Sequence, residues 1–528
     1  MSDHFAHACD YLKRGQFLQA EALLLELVRE DANHFDANHM LGIVCCELQK
    51  FDKAEAYFLK ALSIDAKYPP LFQNYGLFFS KTKRFEKAII QFNAALQLFP
   101  NFAPVYSDRG TALKELKKYD QAIADFNRAI LLAPNVPGFY HNRANALYKQ
   151  KLFREALRDY DHAISLDPQY ADPFCGRGNV LADIKRFDEA FAAFDKALTL
   201  KPDLAEAWLG RGNLFIPLER HDEACAAYDR ALALKPDLGE AWLGWGNVFT
   251  ALKRDDEALA AYDKALALKS DLTEAWLNRG ILKVSRGDVD DGRKDCEQAI
   301  SLGVDKEVAH FHLARYAAAA NIHTVPRKVV EDLFNVFAGY FDSVLVNSLE
   351  YNAPTALYNL ISQHIEIQDL DILDLGCGTG LLGTRLRPIA RTLVGVDLSD
   401  RMLDKAKARA IYDDLQCEDI IDFMNNDFRG YDLVASTDAF IYLGDLSGIF
   451  DAVKRRLKAA GWFAFSVEAT NEKHFVLRET GRFQHSKAYL ERLALSHGFK
   501  IHAIEDSTLR EERKKAVPGF LVLLSTSQ

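Results

Sequence analysis

The residues best suited to chemistry sit late in the chain. Asp371 to Gly380 reads DILDLGCGTG, an apolar run ending in Gly376, Gly378 and Gly380. Glycines there let the backbone turn sharply after a buried strand and let a ligand approach without a Cβ in the way. Alone, the three glycines would equally suit a nicotinamide or flavin site, or a plain turn. Asp374, ahead of the first glycine, narrows the choice, because an acid there repels a pyrophosphate and suits a ligand bearing a cation. A second acid, Asp397, ends the next apolar run in LVGVDLS, a place where carboxylates hold ribose hydroxyls. A third acidic spot, Glu418 and Asp419 in LQCED, follows a further short run.

These groups need a scaffold that brings strand ends together. Apolar runs at Asp371 to Leu375, Thr392 to Val396, Tyr431 to Ala435 and Trp462 to Val467 alternate with helical stretches. That alternation predicts a parallel sheet with helices on both faces and ligands beyond the C-terminal strand ends. FKIHAIED and GFLVLLST predict a final antiparallel pair, with the charged STLREERKKAVP between them as a solvated loop.

Everything before residue 321 follows another rule. Phe72, Tyr106, Tyr140, Phe174, Trp208, Trp242 and Trp276 recur every 34 residues. Four residues after each aromatic position comes a small one: Gly76, Gly110, Ala144, Gly178, Gly212, Gly246 and Gly280. Pro100, Pro134, Pro168, Pro202 and Pro236 close the second helix of five units. Each unit is a helix hairpin, and with Ala224, Tyr228 and Ala231 in the second helix the pattern resembles the tetratricopeptide repeat. Nine units fit, the first and last degenerate, and EVAHFHLARYAAAA reads as a solvating cap helix. Arg143, Arg177 and Arg211 each precede an aspartate by 18 residues (Asp161, Asp195, Asp229), which predicts structural pairs within a repeat. Asn145, Asn179, Asn213 and Asn247 recur one residue after the small position, where spaced amides offer donors and acceptors to an extended peptide backbone.

Composition limits the partners. The 528 residues carry 65 basic and 75 acidic side chains, a net charge of -10, so no basic face awaits a phosphate backbone and nucleic acid is not the expected partner. The eight cysteines lack CxxC or Cys/His spacing, which argues against a metal site or a disulfide framework. The opening MSDHFAHACDYLKRGQ has no signal-like apolar run, and no segment offers about 18 consecutive apolar residues. The expectation is a soluble, cytoplasmic protein without a membrane contact.

The set DLGCGTG, VGVDLS, QCEDI and YDLVASTDAF closely resembles the class I S-adenosylmethionine-dependent methyltransferases. The resemblance implies S-adenosylmethionine as cofactor. Asp374 and the turn of Gly376, Cys377, Gly378, Thr379 and Gly380 would cradle its methionine part. Asp397 and Leu398 would lie at the ribose, and Asp419 and Ile420 would frame the adenine. Residues 330 to 361 resemble the segment before the catalytic domain in bacterial tetratricopeptide-repeat-containing methyltransferases. Phe341, Asp342, Tyr351 and Pro354 match that pattern, Asn335 stands where Asp is usual, and Phe341 and Tyr351 would reach the cofactor from a helical lid.

The expected fold is therefore an α-solenoid of tetratricopeptide repeats (1–320), a helical lid or linker (321–365) and a Rossmann-like class I methyltransferase domain (366–528). For the acceptor end, ASTDAFIYLGD lacks the NPPY-type tetrapeptide of nucleobase and glutamine methylation. Asp438 and Tyr442 occupy the strand end that should face the acceptor, with His485 as the titratable candidate beyond the fifth strand and Glu468 as another. The leading functional expectation is a methyltransferase whose repeats recruit a protein or another large acceptor. Two alternatives stand beside it: an interaction scaffold whose methyltransferase fold does not turn over, and a small-molecule enzyme with a purely scaffolding array.

Overall fold

The computed structural model describes residues 2–316, 322–337, 351–365, 369–512 and 515–526. The chain divides into two compact units, Met1–Pro236 and Asp237–Gln528. Among the described residues no helix is long and apolar enough to cross a membrane.

The first unit is a run of antiparallel helix hairpins, from α1 (Ser2–Lys13) with α2 (Phe17–Glu30) to α13 (Ala205–Phe215) with α14 (His221–Leu234). The small residue of each first helix exists to admit a ring. A Cβ on Gly76 would lie 2.4 Å from the Phe92 ring, and one on Gly110 would lie 2.8 Å from Phe126. Both rings are fully buried, worth about 1.5–3 kcal/mol each. Between the helices the chain passes through a left-handed residue: Gln49, Lys83, Lys117, Lys151, Lys185 and Glu219, with Gly15 in the first hairpin. A left-handed residue after a helix lets its last carbonyls be satisfied. Most repeats use a long polar side chain there, so the turn carries no glycine signal in the sequence.

The arginine pairs are real, but their register is 16 residues and not the expected 18. Arg143 donates from Nε and Nη2 to both oxygens of Asp159, at 2.6 and 2.7 Å, and Arg109 holds Asp125 in the same way. Glycine and ring are also 16 apart, so one hairpin register governs both contacts. Two residues further along a helix lies about 200° round it, and Asp161 accordingly turns away from Arg143 to meet Arg177 of the next repeat at 2.8 Å. Asp195 likewise meets Arg211.

The second unit opens with two more hairpins, α15 (Gly239–Ala251) with α16 (Asp255–Leu268) and α17 (Thr273–Ser285) with α18 (Val289–Ser301), followed by α19 (Lys306–Ala314). The sequence suggested that α19 solvates the end of the array. Instead Phe311 is buried with Val325 and Phe483, and Arg315 donates through Nε to the Glu479 carbonyl at 2.8 Å. The apolar face of α19 is covered by the sheet domain rather than by water; residues 317–320 of the expected cap lie outside the described residues.

After α20 (Arg327–Phe337) and α21 (Ala353–His364) comes the sheet. Its parallel strands run in the order β3 (Asp414–Cys417), β2 (Ala390–Asp397), β1 (Leu370–Leu375), β4 (Tyr431–Ser436) and β5 (Leu457–Ala469). On β1, Leu373 and Leu375 pack with Phe450 and Val453 on one face, while Ile372 packs with Leu360 and Ile361 on the other. Successive side chains point to opposite faces, so a strand between two helical layers is apolar throughout. A hairpin of β6 (Phe475–Leu477) and β7 (Phe483–His485) joins the end of β5, and β9 (Lys515–Thr526) pairs antiparallel with β5 and with β8 (Phe499–Glu512). The expected solvated loop is thus strand through Glu512: Arg510 is only 3% exposed.

Candidate functional site

The glycine turn is built by β1 and pinned by β2. Gly376, Gly378 and Gly380 all have positive φ (67°, 54° and 89°), which side-chain-bearing residues adopt at a cost. The amides of Gly376 and Cys377 both donate to the Val396 carbonyl, at 2.8 and 3.0 Å. A Cβ on Gly376 would lie 2.4 Å from that of Ala439, whereas one on Gly378 would meet no atom within 4 Å. The turn is therefore tight on its sheet side and open at Gly378. Gly380 begins the short helix α22 (Leu381–Leu386).

Asp397, at the end of β2, accepts from the Gly378 amide and the Ser399 amide, each at 2.9 Å. Burial raises its pKa and these backbone donors oppose the rise. Asp374 does not line the cavity described below, although the sequence reading set it against the ligand. It lies beneath the turn, 1% exposed, where Tyr412 Oη donates to its Oδ2 at 2.7 Å and its Oδ1 has no partner. Burial pushes its pKa up to about 7. Tyr412 went unnoticed in the sequence because nothing about it is periodic; its ring fills the space left by Gly383 and Gly395.

A cavity of about 1200 Å³ opens at the strand ends. Gly376 to Thr379, Asp397, Leu398, Glu418, Asp419 and Ile420 form one side of it. Asp419 also caps α24 (Ile420–Asn426), its Oδ1 accepting from the amides of Ile421 and Asp422 at 2.8 and 3.3 Å. Tyr351, Asp438 and Tyr442 line it as well. Phe341 and Asp342 lie outside the described residues. Above, α20 reaches across: Asn335 accepts from Ser399 Oγ at 2.8 Å, and Phe334 meets Tyr442 edge-on at 5.5 Å. The segment before α20 is stitched to the sheet by the Val325 amide on the Tyr442 carbonyl (2.9 Å) and the Gly444 amide on the His323 carbonyl (2.7 Å).

The acceptor end differs most from expectation. His485 is fully buried, does not line the cavity, and its Nε2 pairs with the Gly444 carbonyl at 3.0 Å. Burial lowers its pKa to about 4, so it is a neutral core side chain stacked on Tyr489. Glu468, 2% exposed, also sits behind the wall, paired with Arg510. Arg510 reaches in from β8, donating from Nη1 to Asp438 Oδ2 at 2.7 Å and from Nε to Glu512 Oε1 at 2.8 Å. Arg482 lies 2.9 Å from Glu468 and donates to Glu512 Oε2 at 2.7 Å. Asp438 itself has a left-handed φ of 55°, its amide donating to Ser466 Oγ at 3.0 Å. A strained non-glycine residue beside a cavity marks a position that the surroundings over-determine. The one sequence signal for Arg510 is the charge run STLREERKKAVP, whereas Arg482 lies outside it and carries none. Burial raises the Tyr442 hydroxyl pKa to about 12 and that of Tyr351 well above its ordinary value, so both stay protonated donors at neutral pH.

The asparagine ladder is partly used within the repeats. In the first unit Tyr160 donates to Asn145 Oδ1 at 2.6 Å and Tyr228 to Asn213 Oδ1 at 2.8 Å; in the second, Tyr262 donates to Asn247 Oδ1 at 2.9 Å. Asn145 also meets His141 through Nδ2. Phe194 stands at the tyrosine position of the repeat that holds Asn179. The carboxamide oxygens of three of the four are therefore engaged, and the amides of Asn145 and Asn247 have further partners in His141 and Glu274, which limits what the ladder can offer a peptide.

Among the described residues no cluster of three or more histidine, cysteine or acidic side chains is arranged to hold a metal ion. The open Gly378 and the remaining lone pairs of Asp397 and Asp419 fit a ligand with vicinal hydroxyls and amine donors.

Comparison with known proteins finds similar domains for both parts of the chain. A methyltransferase domain model matches residues 373–465. Tetratricopeptide repeat models match 5–69, 69–102, 103–136, 138–170 and 175–238, and a TPR repeat model matches 246–287. The ubiquinone biosynthesis O-methyltransferase of Coxiella burnetii is 28% identical over 125 residues, 23% of this chain and 53% of that protein. The malonyl-[acyl-carrier protein] O-methyltransferase of Priestia megaterium is 29% identical over 146 residues, 27% of this chain and 52% of that protein. The chain spans about half the length of these curated relatives. The crystal structure of magnesium protoporphyrin IX methyltransferase from Synechocystis with bound SAM aligns with a TM-score of 0.31 at 16% identity, over 39% of this chain and 100% of that one. The chain carries tetratricopeptide repeats and, after them, a methyltransferase domain.

Proposed function

We propose that the chain is an S-adenosylmethionine-dependent methyltransferase whose acceptor enters beside Asp438 and Tyr442, and whose repeats hold a protein or another large partner. The observation that carries this reading is the shared cavity: the open Gly378 and Asp397 lie on one side of it and Asp438 and Tyr442 on another. Bound there, the cofactor supplies a methyl carbon on a sulfonium sulfur, which leaves as a neutral thioether. Asp397 accepts from ribose hydroxyls with the lone pairs that Gly378 and Ser399 leave free. Asp419 and the Ile420 backbone frame the adenine edge. Tyr351 and Tyr442 donate hydrogen bonds that orient the acceptor, and the Asp438 carboxylate, held by Arg510, is placed to take its proton. Helix α20, tied to Ser399 through Asn335, keeps water from the cofactor as a lid. Eight free cysteines suit a reducing, cytoplasmic setting.

The test is transfer of labelled methyl from S-adenosylmethionine to an extract of cells that lack this protein. Label in a macromolecular fraction that disappears when Asn145, Asn179, Asn213 and Asn247 are all changed to Ala supports recruitment by the repeats. Cofactor binding without any labelled product would make the chain an interaction protein instead. A second reading, a small-molecule acceptor, is favoured by one observation: Val308 and Phe311 of α19 themselves wall the cavity, so the end of the array serves the site directly.

A further inference from the structure

The cavity is larger than one cofactor needs. At about 1200 Å³ it exceeds the roughly 300–1,000 Å³ of ordinary small-ligand sites. The groups assigned above to the cofactor occupy the end at Gly378, Asp397 and Asp419. The rest is lined by apolar side chains from three places, Val308 and Phe311 on α19, Val330 and Phe334 on α20, and Ile441 and Leu443 after β4, together with Arg315, which donates to the Glu479 carbonyl, and Arg327, which lies 3.8 Å from Asp422.

The floor of this apolar part holds three carboxylates against two guanidiniums. Arg510 is shared among Asp438, Glu468 and Glu512, and Arg482 between Glu468 and Glu512. An acceptor carrying a carboxylate or phosphate would add negative charge to this floor and would gain a cation there only by taking it from a buried pair, which leaves another charge uncompensated. On α20, Lys328 is exposed and paired with Asp332 at 3.2 Å. Among the described residues, the neutral hydroxyls of Tyr351 and Tyr442 and the remaining lone pairs of Asp438 lie at this floor, and they suit a donor and acceptor such as a hydroxyl.

Resting on methyl transfer as the reaction, we infer that the acceptor is an apolar molecule or stem without an anionic group and with a hydroxyl-type end, seated between α19 and α20. The end of the repeat array is then part of the acceptor site. An anionic side chain or a nucleotide is the wrong chemistry for this space, whereas an aromatic or aliphatic body suits it.

The experiment measures binding of 2-naphthol and of 6-hydroxy-2-naphthoate to the full chain by fluorescence, with S-adenosylhomocysteine affinity followed separately by calorimetry. The neutral probe should bind about tenfold or more tightly than its carboxylate analogue, because the added charge finds no free partner. Val330→Asp should weaken 2-naphthol about tenfold and leave S-adenosylhomocysteine within about twofold, while Val330→Leu restores probe binding. Should Val330→Asp lower the unfolding midpoint, Val308→Asp on the facing helix makes the same comparison. Equal or tighter binding of the carboxylate probe overturns the inference, as does 2-naphthol binding that ignores both aspartate variants. If 2-naphthol behaves as stated and S-adenosylhomocysteine does not bind, the methyl-transfer reading falls and the apolar site stands.

Discussion

The hairpins of the first unit and the acceptor edge of the sheet both hold arginine against aspartate, yet they are assembled by opposite rules. In a hairpin the partners are 16 residues apart, as for Arg143 and Asp159, and the same step brings Gly110 to Phe126. At the acceptor edge Arg510 meets Glu468 and Asp438 across 42 and 72 residues. A hairpin contact is fixed by two adjacent helices and repeats whenever they do. The edge contacts exist only once β4, β5 and β8 have come together, and nothing repeats them. Local rules therefore give stability in small equal parts, whereas the site concentrates its interactions in a few buried charges.

That contrast can be broken most directly at Arg510. Arg510→Met leaves Glu468 and Asp438 without their buried cation and should cost about 3–5 kcal/mol, read as loss of denaturant resistance in the second unit; a loss under 1 kcal/mol would mean the edge is no more concentrated than a hairpin. Next comes Asp374, faced by Tyr412 from the β3 side and by Asp397 from β2. Burial raises its pKa from 3.8 to about 7, so the folded chain keeps a proton that the unfolded chain releases. The stabilisation from that proton is full below the unfolded pKa and lost as pH rises through about 7, at most about 4 kcal/mol in all. Urea unfolding at pH 5 and pH 8 should show a smaller pH dependence for Asp374→Asn than for the parent chain, and identical dependence would place the titration elsewhere. Gly76→Ala drives a methyl group into the Phe92 ring and should cost about 1–3 kcal/mol. Its effect should add to that of Arg510→Met, since the two sites share no partner; strong coupling between them would contradict the separation drawn here. Smallest is Tyr228→Phe, which strips one hydrogen bond from Asn213 and should cost about 1 kcal/mol.

The same contrast explains what the sequence could be made to say. The repeats were legible because a beat of 34 residues is visible without knowing any contact, and the strands because a buried parallel strand is apolar along its whole length. The glycine turn and Asp397 were legible for a related reason: they are adjacent to strand ends that the apolar runs had already marked. The arginine ladder was visible as a ladder, but its register depended on which face of the second helix points inward, a matter of a half-turn. Tyr412, Arg482 and Arg510 were missed because each reaches its partners from another element, and the run containing Arg510 looked like solvated charge until β8 was seen to continue through it. His485 failed in the opposite sense: a histidine near the right strand reads as a candidate base, and only packing reveals that its ring faces the core. The helix α19 reads as a cap because an apolar face at the end of an array is silent about what covers it.

The central claim is that the cavity holds S-adenosylmethionine with Asp397 on the ribose. Calorimetry of the full chain tests it. The account predicts binding near micromolar strength, roughly -8 kcal/mol, with NAD and ATP far weaker, and a loss of about 1.5–3 kcal/mol in Asp397→Ala as hydrogen bonds to a charged acceptor disappear. Tight binding of NAD in place of S-adenosylmethionine, or S-adenosylmethionine binding that is unchanged in Asp397→Ala, would contradict it.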